Sequence, residues 1–515
     1  MKLRKTIQSL VVALALCAPA AYAQDQKQDV SPIDPNAPLQ PLEISPSPAY
    51  ASRPPIGAAR GVATPYDPQQ YDPSQVSPDQ NTLAGAAPFT LGSLQHTGNI
   101  FDPTISVSQL GQTVPGTTGK TVLTGITMAS GSLNFDRTWS EYRFTTLYTG
   151  GETFNLGYGK VPGFFGTASP HYQFHNLSVT QEADWARWHV LLRDNFIASP
   201  GAQFSGQGIG GPGLVAQFSS MLGASLNSLG QSFQPVETIN TAQAMRYQNS
   251  ILGQAAYSFT RRSAFTFSGS YGVLDFTGAG YFSSTKYDVQ AGYDYMLDPS
   301  DSIAILGSYG KINYSGTGTA ATGTILNGNG TSTTDYVGAL AFGRKITGRL
   351  AFQAAAGPQE IYSNGAGGVG KVNLLFASVN SALTYERRRS GVSFNFVRGL
   401  STGSGVFLGA TSNAFSASAH YQLTRSWSAY IDGGYALNNS LPSAGAGKIQ
   451  FDNWFAGANL GRQLGTHAQI SFNYGALEQV NPPNCPQAVC GGVGLQQIAG
   501  VSVNWHLRAI GEGSR

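Results

Sequence analysis

Charge is scarce in this chain. Only 11% of its residues are Asp, Glu, Lys or Arg, against the usual quarter for a soluble domain. The 30 basic and 27 acidic side chains nearly cancel. Removal of Lys2, Arg4 and Lys5 with the N-terminal segment described below balances them, which argues against nucleic acid as a partner. Cysteine is almost lacking, with three in 515 residues, so a disulfide scaffold is excluded. After Gln24 there is no further long apolar run, so a helical membrane protein is excluded. No Gly-x-Ser-x-Gly, phosphate-loop or zinc-protease motif stands out, and no catalytic role or cofactor is expected.

What is present begins with an export signal. Lys2, Arg4 and Lys5 precede an apolar stretch from Ile7 to Ala18, and Ala21-Tyr22-Ala23 forms a small-residue cleavage site. Cleavage is expected between Ala23 and Gln24. Cys17 follows Leu16, a poor lipobox, and leaves with residues 1–23. Residues 24–94 hold the prolines from Pro32 to Pro88, with repeats such as Tyr66-Asp67-Pro68 and Tyr71-Asp72-Pro73. Proline removes backbone donors and favours extended chain. The stretch reads as a disordered periplasmic linker, with a periplasmic partner as the sharper alternative.

From 95 to 515 the chain alternates. Tyr281, Tyr287, Val289, Ala291, Tyr293, Tyr295 and Leu297 fall on one face of an extended segment, and Lys286, Asp288, Gln290 and Asp294 on the other. Phe415 to Leu423, Trp427 to Leu437 and Ala468 to Tyr474 repeat the pattern. Tight turns are expected at Arg261-Arg262, Pro299-Ser300, Thr347-Gly348, Arg388-Arg389, Thr424 to Ser426 and Leu464 to Thr466, roughly 37 to 48 residues apart. Two earlier turns are expected near Thr149-Gly150 and Ala183-Asp184. Between the tight turns lie longer Gly-, Ser- and Asn-rich loops such as 316–332 and 438–449. The fold class is all-β, a transmembrane antiparallel up-and-down barrel of about sixteen strands, within a range of about fourteen to eighteen. A first strand is expected near 121–129 and a last near 496–508. A soluble propeller has blades of similar period but needs four short strands per unit, where this chain shows two long ones.

The signal, the hairpin period and the aromatic outer faces together resemble the porin-like Gram-negative outer-membrane β-barrels, over roughly residues 120–508. The resemblance implies a passive pore for small polar solutes, seated in outer-membrane lipid and inserted by the barrel assembly machinery. One departure is the C-terminus: Val501, Val503, Trp505 and Leu507 are followed by Arg508 to Arg515, where such barrels often end on an aromatic residue. A non-conducting surface adhesin or structural barrel, and an accessory barrel for polysaccharide export, are the alternative classes on this scaffold.

Lumen-facing candidates are Arg187, His189 and Arg193, which alternate with Trp188, Val190 and Leu192, together with Lys286, Asp288 and Asp294. The first three make a positive ladder that would favour anions, unless Glu182 and Asp184 neutralise it. His171 and His175 have the spacing of a metal pair only on a helix, so no metal site is expected. His420 with Ser416 and Ser418 is what strand alternation alone produces. Cys485 and Cys490 lie in a loop of an exported protein and are expected to form a local disulfide. The longest interruption, 196–242, contains a Gly-rich stretch and then Leu214, Phe218, Met221, Leu222, Leu226 and Leu229 at helical spacing. It is expected to fold into the lumen as a constriction, with capping on top of the barrel as the alternative. The oligomeric state is not encoded in any of these patterns.

Overall fold

In the computed structural model the described residues run from 99 to 512. They break at 116–120, 157–170, 201–244, 320–324, 365–370, 402–407, 442–449, 481–494 and 507–509, and at one or two positions in several turns. The first nine strands are β1 (Asn99–Pro115), β2 (Thr121–Thr138), β3 (Tyr142–Asn155), β4 (His171–Asp184), β5 (Trp188–Pro200), β6 (Met245–Ser258), β7 (Ser263–Phe276), β8 (Ser283–Met296) and β9 (Asp301–Ser315). A small hairpin follows, β10 (Thr317–Thr319) with β11 (Ile325–Asn327). Nine more long strands complete the wall: β12 (Ser332–Lys345), β13 (Leu350–Asn364), β14 (Val372–Arg387), β15 (Ser390–Ser401), β16 (Ala410–Gln422), β17 (Trp427–Ser440), β18 (Gln450–Leu464), β19 (Ala468–Val480) and β20 (Gln496–His506). A three-residue β21 (Ile510–Glu512) pairs with the start of β1.

Each long strand pairs antiparallel with its sequence neighbour, β9 with β12 across the hairpin, and β20 returns to β1, so the sheet is closed. Eighteen long strands stand at the upper end of the expected range. The two strands beyond the sixteen that flank the tight turns are β1, ahead of the strand expected first, and β20, where the last was expected; the two pair to close the wall. Thr149 and Gly150 lie in the middle of β3, and the chain reverses instead between Thr138, the end of β2, and Tyr142, the start of β3. Gly150 and Gly151 stay in register with β2 and do not break the strand. Residues 196–200 finish β5, so the long interruption is 201–244.

Carrying the cross-strand register once round the wall returns a β1 residue to β1 about 22 positions further along. At about 3.3 Å per residue and about 4.8 Å between strands, that stagger tilts the strands by roughly 40° and gives a circular wall a radius of roughly 18 Å.

Three of the tight turns share a local device. A Thr or Asp at the turn accepts backbone N–H groups two and three residues on. Asp298 Oδ1 accepts from Ser300 N at 2.6 Å and Asp301 N at 2.8 Å. Thr347 Oγ1 accepts from Arg349 N at 3.2 Å and Leu350 N at 3.0 Å. Thr424 Oγ1 does the same for Ser426 and Trp427 at 3.3 and 3.1 Å. Such side-chain caps fix the reversal and hence the register. All tight turns lie at one end of the wall with residues 99 and 512, and the longer loops at the other.

Burial alternates with the pleat. In β8, Lys286, Asp288, Gln290 and Asp294 are buried while Val289, Tyr293 and Tyr295 are exposed. The buried parity is the interior of the closed wall, and the exposed parity faces outward. The outward face carries Ile105, Ile305, Leu340, Ile431 and Val503 at its middle. Aromatic rings collect above and below. Toward the turn end, Trp188 and Tyr257 lie 4.7 Å apart, Tyr142 and Trp185 6.1 Å, and Arg462 stacks on Trp427 at 5.3 Å. Toward the loop end, Tyr309, Tyr336 and Tyr362 form a row at 5.3 and 6.1 Å. Tyr247 and Tyr257 on the outer face of β6 are ten positions apart, about 25 Å along the barrel axis at this tilt, the height of a lipid-facing apolar band. An apolar belt between two aromatic girdles on a closed, polar-lined wall is the solvent logic of a membrane β-barrel. Tyr281, read by alternation as outward, instead lies ahead of β8, buried and stacked on Phe276 at 5.2 Å.

Candidate functional site: the barrel interior

The inward face is built mainly from small neutral polar side chains. Ser106, Ser108 and Gln112 of β1, Thr266 and Ser268 of β7, Asn453 and Asn459 of β18, and Ser502 and Asn504 of β20 are all buried there. Alternation with outward apolar residues puts them inside. Many carry polar atoms that meet no protein partner. Gln112 Oε1 and Nε2, Thr124 Oγ1, Ser302 Oγ, Ser412 Oγ, both carboxylate oxygens of Asp432, and Ser471 Oγ are examples spread around the wall.

Four buried charged residues, Lys286, Asp288, Asp294 and Asp335, gather on β8 and β12, while Asp136, Arg246 and Asp432 are buried elsewhere on the wall. Lys286 Nζ lies 3.2 Å from Asp288 Oδ2, both buried. Asp294, further toward the turn end, accepts from Thr266 Oγ1 at 3.2 Å. Asp288 and Asp335 lie opposite the two edges of Gly310 in the ladder. Gly310 has no Cβ, and the Oδ1 atoms of both aspartates close over the space a Cβ would take. Gln359 Nε2 donates to Asp335 Oδ2 at 2.9 Å. Asp335 and Gln359 escaped the sequence reading, although Thr333, Asp335 and Val337 alternate with Tyr336 and Leu340 as the β8 residues do.

The expected positive ladder is placed differently. Arg187 is exposed in the turn before β5, where its carbonyl accepts from Ser258 N at 2.8 Å. His189 and Arg193 are on the inward parity of β5 with Leu191. Arg193 Nε reaches Thr180 Oγ1 at 3.4 Å, and the ladder sets Glu182 opposite Leu191, between the two. A carboxylate thus stands within the row of cations.

His171 and His175 are on β4, four strand residues or about 13 Å apart. Each faces outward to a separate partner, Glu152 Oε1 at 2.9 Å and Tyr148 Oη at 2.9 Å. Ser418 Oγ meets Ser393 Oγ at 2.7 Å across β15 and β16 rather than forming a nucleophile pair with His420. Ala23, Gln24, Cys485, Cys490, the Pro-rich arm and the expected helix at 214–229 lie outside the described residues.

The loop end carries a packed cluster of loops that the sequence did not announce. Gly316, with φ at +88°, turns the chain after β9 so that β10 and β11 fold against neighbouring loops. Gly280 bridges to Gly318, and the ring of fully buried Phe282 lies so close to Gly318 and Gly328 that a Cβ at either would stand 2.6 and 2.9 Å from it. Leu408, from the loop before β16, reaches Gly328 from the other side. Gly409 accepts from Leu441 N at 3.2 Å and lies against Leu441 and Tyr314. Loops rooted six strands apart, a third of the circumference, therefore meet over this hairpin. Only glycine permits those approaches.

No known protein family and no curated protein matches the chain. Among solved structures it is similar to OccAB3 of Acinetobacter baumannii, with 9% identity over 80% of this chain and 99% of that one and a TM-score of 0.39. It is similar to OccK9 (OpdG) of Pseudomonas aeruginosa, with 9% identity over 79% and 98% and a TM-score of 0.39. A BenF-like porin from Pseudomonas fluorescens Pf-5 gives 8% identity over 79% and 98% and a TM-score of 0.39. On its own geometry the chain is a closed antiparallel β-barrel of the outer-membrane type.

Proposed function

We propose that this barrel is a passive pore for small polar solutes, with its tight turns in the periplasm and its long loops outside the cell. The observation that carries this reading is the polar interior with unpartnered atoms around the wall. A buried polar atom without a partner costs about 1–3 kcal/mol, and a dry interior would impose that cost many times over. A hydrated interior would remove it, and a polar passage lined by Ser, Thr, Asn and Gln would offer solutes replacements for their hydration. Opposite charges set beside one another, as in Lys286 and Asp288, keep that passage from rejecting neutral molecules.

A second reading, a barrel that holds its surface loops and conducts nothing, is favoured by one observation: the inward side chains are largely shielded from solvent. Purified protein in planar bilayers separates the two. Discrete conductance steps are expected. A folded, heat-modifiable barrel that inserts and carries no current would reject the pore.

A further inference from the structure

We propose that the recess over Gly310 is a cation-selective site within the pore, formed by Asp288 and Asp335, tempered by Lys286, and suited to small cations that donate hydrogen bonds, such as organic ammonium ions. The proposal rests on the pore reading above.

Three observations converge. First, the two aspartates come from strands on either side of β9, and their Oδ1 atoms approach one another over the only residue type that leaves the space free. With both aspartates ionised, Lys286 offsets one carboxylate and leaves the group with one net negative charge. Among the described residues the inward faces of β7, β9, β12 and β13 add no basic side chain nearby; Lys345 stands at the turn end of β12, ten residues from Asp335. Second, the unsatisfied atoms here are of one kind. Asp335 Oδ1, Gln359 Oε1 and Gln290 Oε1 accept hydrogen bonds and have no partner, and their residues are 6%, 3% and 4% exposed. Gln359 is aimed at the group, since its Nε2 already binds Asp335. Ser270 Oγ, opposite Asp288 in the ladder, is also unpartnered. A cluster of orphaned acceptors calls for a donor, and net negative charge calls for a positive one. Third, the site is screened from bulk water, so a single charge acts there with far more than its aqueous strength.

An anion at this level would meet two carboxylates before its one lysine. A cation finds up to five acceptors and no close cation except Lys286, which is held by Asp288. The site therefore discriminates by sign and favours donors, without demanding one geometry.

The experiment is the reversal potential across a KCl gradient in planar bilayers, repeated with methylammonium chloride. The wild-type barrel is expected to pass cations over chloride. Asp288→Asn with Asp335→Asn is expected to reduce that ratio by roughly three- to ten-fold, and Lys286→Gln to raise it. Should the double variant fail to insert, Asp335→Asn alone and Lys286→Gln must still move the ratio in opposite directions. A conducting barrel whose selectivity ignores all three changes overturns the site and leaves the pore standing. A folded wild-type barrel that conducts neither ion overturns both.

Discussion

Leu340→Arg is expected to destabilise the barrel by about 2–4 kcal/mol, the cost of a basic side chain on the lipid face near mid-membrane. Leu340 is 67% exposed, and its ladder partner Ile305 is 64% exposed. Both are large aliphatic residues in the middle of long strands, with Tyr336 four residues above Leu340 and Lys345 five below. In water such exposure would be a defect repeated all around the molecule. In lipid it is the favourable arrangement, because the alkyl surface meets acyl chains and the backbone is fully paired within the sheet. Arginine at this position must bend far to reach a headgroup, whereas arginine near a girdle, like Arg462 over Trp427, does so at little cost. Equilibrium unfolding in lipid vesicles measures the difference. Val289→Arg is expected to behave as Leu340→Arg does, and Leu340→Ala to cost far less. If Leu340→Arg unfolds within about 0.5 kcal/mol of wild type, the outward face does not contact lipid and the membrane reading falls.

The wall was largely legible in the sequence because a strand that separates two solvents must alternate, and alternation is a local pattern. Lys286, Asp288, Gln290 and Asp294 were separable from Val289, Tyr293 and Tyr295 on that ground alone, and the structure puts them on opposite faces. The tight turns were legible by their recurrence along the chain, and at three of them a Thr or Asp caps the backbone two and three residues on. The first strand was not, since Asn99–Pro115 begins beside the proline-rich region and includes Pro103 and Pro115. One of its partners, β2, follows it in the chain, but the other, β20, is close only in space. The same limit hid the Asp288–Asp335 pair. The two residues are 47 positions apart and meet because β9 lies between their strands with a glycine at the matching rung. Tyr281 misled for the opposite reason: it has the right parity but lies past the point where the strand ends and parity loses its meaning.

Excising residues 317–327 should raise single-channel conductance while leaving a heat-modifiable barrel. The splice is feasible because the hairpin closes on itself: Gly328 N donates to Gly316 O at 2.9 Å, so the two ends are already neighbours. Tyr314 N bonds Thr331 O at 3.0 Å below them, and the β9–β12 ladder is complete without the hairpin. What the excision removes is the piece against which Phe282 and Leu408 pack. Those side chains come from loops a third of the circumference apart, so the hairpin holds material over the mouth that the eighteen-stranded wall does not require for closure. Phe282→Ala is the milder version. It deletes a fully buried ring, a change that costs about 3–5 kcal/mol in a well-packed core, and here the loss falls on the loop cluster because the ladders of β7 to β9 do not depend on that ring. Conductance of both variants is expected to exceed wild type, the excision by more, with the cation preference assigned to Asp288 and Asp335 retained because the charged recess lies deeper in the wall. An intact barrel with unchanged conductance would show that the narrowest point lies elsewhere and that the hairpin only braces the loops.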